Sequence, residues 1–311
     1  MGEATELTLI LPNLAPIIQQ KLNNELLTST LRKVINKAAF QTIDSGLDRR
    51  LFNHFSRELI DSKDLPMAAL RHPEQMTLCA DPCYLHTDRD QLILFADQLA
   101  ITPQETEIFI NTIQPLLTEF GAILTADNEE HWTMSLSSMP DLTFTALSDL
   151  KNKPINDNLL TGADQQDWLR LWNEIQMILF DLPINQQRIS AGKFPINSLW
   201  LWGKGQFSVN AAHWHSTMGS YRLLAQLADV ANISHSDSIS NVTELSGGRH
   251  LIVYEALNLD NDWQQQLQQI EQRLLQPLWQ NLKKYKLSSL TIEIPHYGQY
   301  HLKPFDCWKF W

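Results

Sequence analysis

Apolar residues recur along this chain at strand and helix spacings, and the changes of spacing predict its elements. Glu6 to Leu11 is a β-rich apolar run that predicts a buried first strand, and Pro12 and Pro16 frame a turn into a helix over 17–27. A second helix is predicted over 31–39, and a third over 47–59, where Leu51, Phe52, Phe55 and Leu59 share one face. From Thr77 the pattern shortens, and 77–80, 91–95, 122–125 and 132–136 read as strands around one well-signed helix. Thr102 and Glu105 form a capping box, Pro103 takes the first helical position, Gly121 closes the helix, and Pro115 predicts a bend within it. Further on, 164–180 turns Trp168, Leu171, Trp172, Ile175 and Leu179 to one side, and a helix over 220–230 precedes a strand over 250–255. A long helix over 262–285, bent at Pro277, leads to a hairpin of 289–294 with 299–302.

Strands that alternate with helices at both ends of the chain argue for an α/β layered sheet closed over an inserted α+β subdomain. The boundaries read as 1–75 and 163–311 for the α/β core and 76–162 for the insert, with the polar, Pro154-broken stretch 151–162 as its linker. At 311 residues and 43% hydrophobic composition the chain can bury a sizeable core. A formal charge of −11 makes nucleic acid a poor partner, because a phosphate backbone selects a basic face. Three cysteines, Cys79, Cys83 and Cys307, make no disulfide framework, and 7–14 is too short an apolar run to span a bilayer. The expectation is a cytoplasmic chain, neither secreted nor membrane-inserted.

Candidate chemistry concentrates in Pro195 to Gly205, PINSLWLWGKG, where an aromatic strand runs into a glycine-flanked loop. Gly203–Lys204–Gly205 either cradles an anion between backbone N–H groups, with Lys204 as counter-charge, or forms a tight turn. His213–Trp214–His215 places two imidazoles on one side if extended; with His235 and Asp237 it makes either a mononuclear metal site or a scatter of surface histidines. Cys79 and Cys83 are half of a zinc site or ordinary semi-buried thiols. The terminal Trp308–Lys309–Phe310–Trp311 either docks into its own domain or offers an aromatic anchor.

Asn197, Trp200, Gly203 and Gly205 match a segment of the archaeal-type, cofactor-independent phosphoglycerate mutases. The wider set of 80–90, 172–177, Asn197–Ser198–Leu199–Trp200, Trp202–Gly203, Gly205 and the Trp308–Phe310–Trp311 ending resembles the RpfE-type bacterial regulatory proteins, divergent relatives of those mutases. This resemblance implies an alkaline-phosphatase-like sheet interrupted by one contiguous insert. A mutase of this kind implies two divalent metals such as manganese, a serine nucleophile and a substrate-gripping arginine. Here the first strand ends in Pro12–Asn13 where the resemblance implies a metal-binding aspartate. The strand over 250–255 continues without a histidine, leaving Asp260 and Asp262 beyond the implied ligand positions, and an expected Asp-His pair is Pro295–His296. The arginine position falls near Leu85, with Arg89 four residues on, and Ser45 is the one suggestive serine. The expectation is therefore a non-catalytic regulatory or ligand-binding protein without a cofactor. Its pocket would be formed by Asn197, Trp202, Gly203, Lys204 and Gly205, for a small phosphorylated metabolite or a protein partner. The alternative is a metal-dependent phosphomutase or phosphatase rebuilt from Ser45, Asp260, Asp262, His296, His213 and His215.

Overall fold

A computed structural model describes residues 4–19, 27–210, 213–240, 242–245, 247–255 and 262–308. The chain divides into two units, 1–59 with 208–311, and 60–207.

The first unit is built on a seven-stranded sheet. Thr5–Ile10 lies at its centre, parallel to Gly248–Val253 on one side and Ser289–Ile294 on the other. Ser216–Met218 and Ser234–Ser236 extend the parallel part, while Gly298–Leu302 and Ala39–Thr42 close the other edge antiparallel. Alternation decides the faces. Leu7, Leu9, Leu290, Ile292 and Leu302 enter a core shared with Leu31 and Val34 of Ser29–Lys37 and with Leu267, Leu274 and Leu278. The opposite face carries Glu6, Thr8, Thr291, Glu293, Gln299 and His301, side by side in register.

The long helix over 262–285 is real but its irregularity lies before Pro277, as a π turn over Glu271–Leu275 between Trp263–Ile270 and Gln276–Lys283. Proline has no N–H to give the carbonyl four residues back, and the widened turn takes up that mismatch. The turn places the Glu271 carboxylate on the start of Ser29–Lys37. There its Oε1 accepts from the Thr30 N–H at 3.0 Å, the Thr30 hydroxyl at 2.6 Å and the Ser29 hydroxyl at 3.1 Å.

In the second unit the twelve-residue strand Thr77–Asp88 pairs antiparallel with Ser198–Trp202, Trp132–Leu136 and Gln91–Phe95. The helix Pro103–Phe120 forms as its signals predict: Thr102 Oγ1 accepts from the Glu105 N–H at 3.2 Å, Glu105 Oε2 accepts from the Thr102 N–H at 2.7 Å, and Gly121 closes it at φ 85°. It runs unbroken through Pro115. Phe109, Ile113 and Leu117 meet Trp132, Trp168, Ile175, Leu199 and Leu201 in one core.

That core moves the expected boundaries. Gln165–Phe180 and Ser198–Trp202 belong to the second unit, which extends to 60–207 instead of 76–162. The reason is that all five residues of Ser198–Trp202 are buried, so the strand needs cover on both faces and finds it beside Thr77–Asp88. The stretch 151–162 is not a free linker, since Lys153–Pro154 pairs with Gln91–Phe95 and Thr161–Gly162 with Leu142–Thr143. At the other end of the chain Trp308 is 47% exposed with the Lys283 ammonium 4.5 Å over its ring; residues 309–311 lie outside the described set.

Candidate functional site

Open parallel sheets present chemistry at the carboxyl ends of their strands, so those ends in the first unit come first. Thr5–Ile10 runs out through Pro12 to Asn13, in the left-handed region at φ 66°, and Ser289–Ile294 through Pro295 to His296, at φ 61°. The His296 N–H donates to the Ser45 carbonyl at 3.0 Å, and its Nδ1 lies 3.0 Å from the Asp44 carbonyl. A carbonyl only accepts, so Nδ1 carries the proton. Ser45 and His296 are thus neighbours through the main chain. Close by, the Tyr221 hydroxyl donates to Asp48, and burial, followed by the charge of Asp48, raises the carboxyl pKa of Glu255.

The remaining metal candidates separate. Asp260 lies outside the described residues, and Asp262 caps its helix by accepting from the Gln265 N–H at 3.1 Å. His213 Nδ1 lies 3.2 Å from Arg249 Nη1, and His215 meets the edge of the His250 ring. His235 bridges the Thr217 hydroxyl and Asp237 at 2.8 and 3.2 Å. A guanidinium beside His213 opposes a cation, so the two-histidine clip is not assembled. Cys79 and Cys83 are free and buried, and burial pushes both thiols up, away from the thiolate a metal needs. Among the described residues no three His, Cys, Asp or Glu side chains converge as a metal would require. The donors among the described residues do not make up the two-metal centre that the mutase resemblance implies.

The Gly203–Lys204–Gly205 loop does bind an anion, and the anion is internal. The buried Asp64 carboxylate accepts from the Gly203 N–H at 3.0 Å and the Lys204 N–H at 2.7 Å, and also from its neighbour Leu65 at 2.9 Å. Glycine is needed there: Gly203 sits at φ 91°, and a Cβ would stand 2.8 Å from Cys79 Sγ. Lys204 Nζ donates to the carbonyls of Pro140 and Leu142 at 2.7 and 3.2 Å. Asn197 pairs with both main-chain groups of Leu85, and Trp202 Nε1 donates to Asp81, which also holds Arg71 through both its oxygens. In the expected pocket, Asn197, Trp202, Gly203 and Lys204 thus direct these donors to protein acceptors and form a structural network.

A site that sequence reading missed lies on the polar face of the first unit's sheet. Arg50 and His54, one turn apart on Leu47–Phe55, both reach Glu293, which is 2% exposed. Arg50 holds it with Nε at 3.0 Å and Nη2 at 2.7 Å, and His54 Nε2 stands 3.0 Å from Oε2. Burial alone would push the Glu293 carboxyl up; the hydrogen bonds and charges of His54 and Arg50 outweigh it and hold the pKa at about 2. Beside this triad opens a groove of about 320 Å³, walled by Arg249, His213, Trp214, Thr291 and His301. One signal for it was available: Glu293 is a carboxylate inside an apolar strand, and such a residue needs a cationic partner.

No family model matches the chain. In sequence it is similar to cofactor-independent phosphoglycerate mutases over limited segments. It is 35% identical to 2,3-bisphosphoglycerate-independent phosphoglycerate mutase of Methanothrix thermoacetophila over 65 residues, which is 21% of this chain and 17% of that one. The corresponding figures are 31% over 78 residues for the probable enzyme of Geobacter sulfurreducens, covering 25% and 19% of the two chains. For that of Methanosarcina mazei they are 27% over 125 residues, covering 40% and 32%. The matches therefore span less than a third of each relative's length. Among solved structures, cofactor-independent phosphoglycerate mutase from Thermoplasma acidophilum aligns with a TM-score of 0.46 and 10% identity over 97% of this chain and 90% of that one. A protein from Pyrococcus horikoshii aligns at 0.47 and 11% over 97% and 87%. Over the matched segments the chain is similar in sequence to the phosphoglycerate mutases.

Proposed function

We propose that this chain is a non-catalytic relative of the cofactor-independent phosphoglycerate mutases, a cytoplasmic regulatory protein that works by binding. The observation that carries the reading is the side-chain chemistry at the carboxyl ends of the central strands. Pro12 and Asn13 follow one strand and Pro295 and His296 the other, and a dinuclear centre needs anionic ligands there to offset two divalent charges. The resemblance of Asn197–Gly205 and of the Trp308–Phe310–Trp311 ending to RpfE-type proteins supports the regulatory role. Such a protein would take a small phosphorylated metabolite or a protein partner, with no metal cofactor.

A second reading, a metal-dependent phosphomutase or phosphatase with a rebuilt site, draws on the adjacency of Ser45 and His296 and of Asp48, Tyr221 and Glu255. Elemental analysis of protein purified with added manganese, together with turnover of 3-phosphoglycerate, separates the two. The expected result is metal well below one ion per chain and turnover at background. About two ions per chain, with turnover abolished by Ser45→Ala, would establish the second reading.

A further inference from the structure

The groove on the polar face of the first unit's sheet holds more hydrogen-bond donors than its own acceptors use. Arg50 commits Nε and Nη2 to Glu293, and Arg249 commits Nε to Glu6 at 3.1 Å and Nη1 to His213 at 3.2 Å. No described group takes up Nη1 of Arg50 or Nη2 of Arg249. Because a guanidinium only donates, the bond to His213 Nδ1 makes that atom an acceptor and puts the His213 proton on Nε2, where it is a further donor. Burial first, then the neighbouring Arg249 and His54, lowers the His213 pKa in the same sense. His301 is oriented by a 3.0 Å contact of Nδ1 with the Thr291 hydroxyl, leaving its Nε2 without a described partner.

We infer that this groove is a binding site for a small organic acid with two or more carboxylates, gripped by the open edges of Arg50 and Arg249. Three features of the groove select that class. At about 320 Å³ the groove suits a small metabolite and not a folded partner. The two arginines are balanced by Glu6 and Glu293, so an anion meets a locally neutral wall on a chain of formal charge −11. The donors are planar side-chain forks, Arg249 standing on a strand and Arg50 in a helix, where its own main-chain N–H is already given to the Gly46 carbonyl. Planar forks match carboxylate geometry, whereas phosphate sites are commonly built from convergent main-chain N–H groups. The site is separate from the carboxyl ends of the strands and stands whether or not the protein is catalytic.

Isothermal titration of the full chain at low ionic strength tests this with citrate and succinate as probes, inorganic phosphate as a competing oxyanion, and succinamide as the neutral control. Saturable binding of a carboxylate probe is expected, with none for succinamide and weaker binding for phosphate. Arg249→Gln removes an open edge from a half-exposed ion pair and should weaken binding at least about tenfold while leaving the circular dichroism spectrum and melting temperature unchanged. Arg50→Lys keeps the charge on Glu293 but loses the fork, and should weaken binding as well. The inference is overturned by no saturable binding of either acid up to about 10 mM, by phosphate or succinamide binding as tightly, or by Arg249→Gln binding as wild type does. Metal content and turnover are read separately, so failure here is distinct from failure of the non-catalytic reading.

Discussion

Asp64 shows how much a single residue decides, because its carboxylate closes the loop that the glycines opened. Replacing it with alanine strands the N–H groups of Leu65, Gly203 and Lys204, each of which costs about 1–3 kcal/mol when buried without a partner. Asp64→Ala is therefore expected to destabilise the second unit by about 3–5 kcal/mol in denaturant unfolding. Lys204→Ala should cost about 1–3 kcal/mol by releasing the carbonyls of Pro140 and Leu142. A Lys204→Ala variant as stable as wild type would contradict this account of the loop. Glu293 gives a pH prediction. Its folded pKa of about 2 lies below the ordinary 4.5, so its contribution is complete above about pH 4.5 and is lost as pH falls through 2. That contribution is worth roughly 3 kcal/mol, and Glu293→Gln should flatten the acid limb of stability against pH across this window. Of these residues, the turn at Gly203 and Gly205 was legible in the sequence. Asp64 was not, because it lies 139 residues from Gly203 and nothing local marks a carboxylate that will fill a distant nest. Glu293 left a signal as a carboxylate in an apolar strand, but its partners Arg50 and His54 were hidden, since Arg50 meets it only when a helix crosses a strand 243 residues later.

Elements were legible where their instructions are local. Pro103–Phe120 carries its cap, first-turn proline and closing glycine in its own sequence, and the structure uses all three. Thr102→Ala should cost about 1 kcal/mol for the lost cap. Gly121→Ala should cost about 1 kcal/mol as well, from the left-handed backbone alone, since a Cβ there meets nothing within 4 Å. Ser29–Lys37 is the opposite case: Thr28 makes no side-chain cap, and the start of the helix is satisfied by Glu271, 241 residues away from Thr30. Glu271→Ala should therefore destabilise the first unit by about 2–4 kcal/mol, more than a local cap is worth, because three donors lose one acceptor. Equal costs for Thr102→Ala and Glu271→Ala would show that the distant carboxylate adds nothing beyond an ordinary cap. The strands Ala39–Thr42, Ser216–Met218 and Ser234–Ser236 left no usable period, being three or four residues long. Ala39–Thr42 and Ser216–Met218 exist because longer neighbours offer a ladder to join, and Ser234–Ser236 pairs in turn with Ser216–Met218.

For the whole molecule, alternation of strands and helices disclosed an α/β unit interrupted by another, but not where the interruption ends. A strand apolar on both faces, such as Ser198–Trp202, is compatible with any buried sheet position, and its periodicity cannot name its neighbour. The Cys79↔Trp202 to Cys83↔Ser198 register does name it, and carries the residues up to 207 into the second unit. This changes where a protease should act. Lys151 is ion-paired to Asp97 at 2.6 Å and Lys153 lies in a paired strand, so trypsin should cut slowly at both despite their polar surroundings. Residues 57–59 and 61–63 are exposed and lie outside any helix or strand, so Arg57 and Lys63 should be cleaved first. Because 60–207 is continuous in sequence and holds its own sheet and core, that segment expressed alone should fold and unfold cooperatively, monitored by circular dichroism and tryptophan fluorescence. Early cleavage at Lys151 or Lys153, or an unfolded 60–207 fragment, would restore the insert to 76–162 and return Ser198–Trp202 to the α/β half.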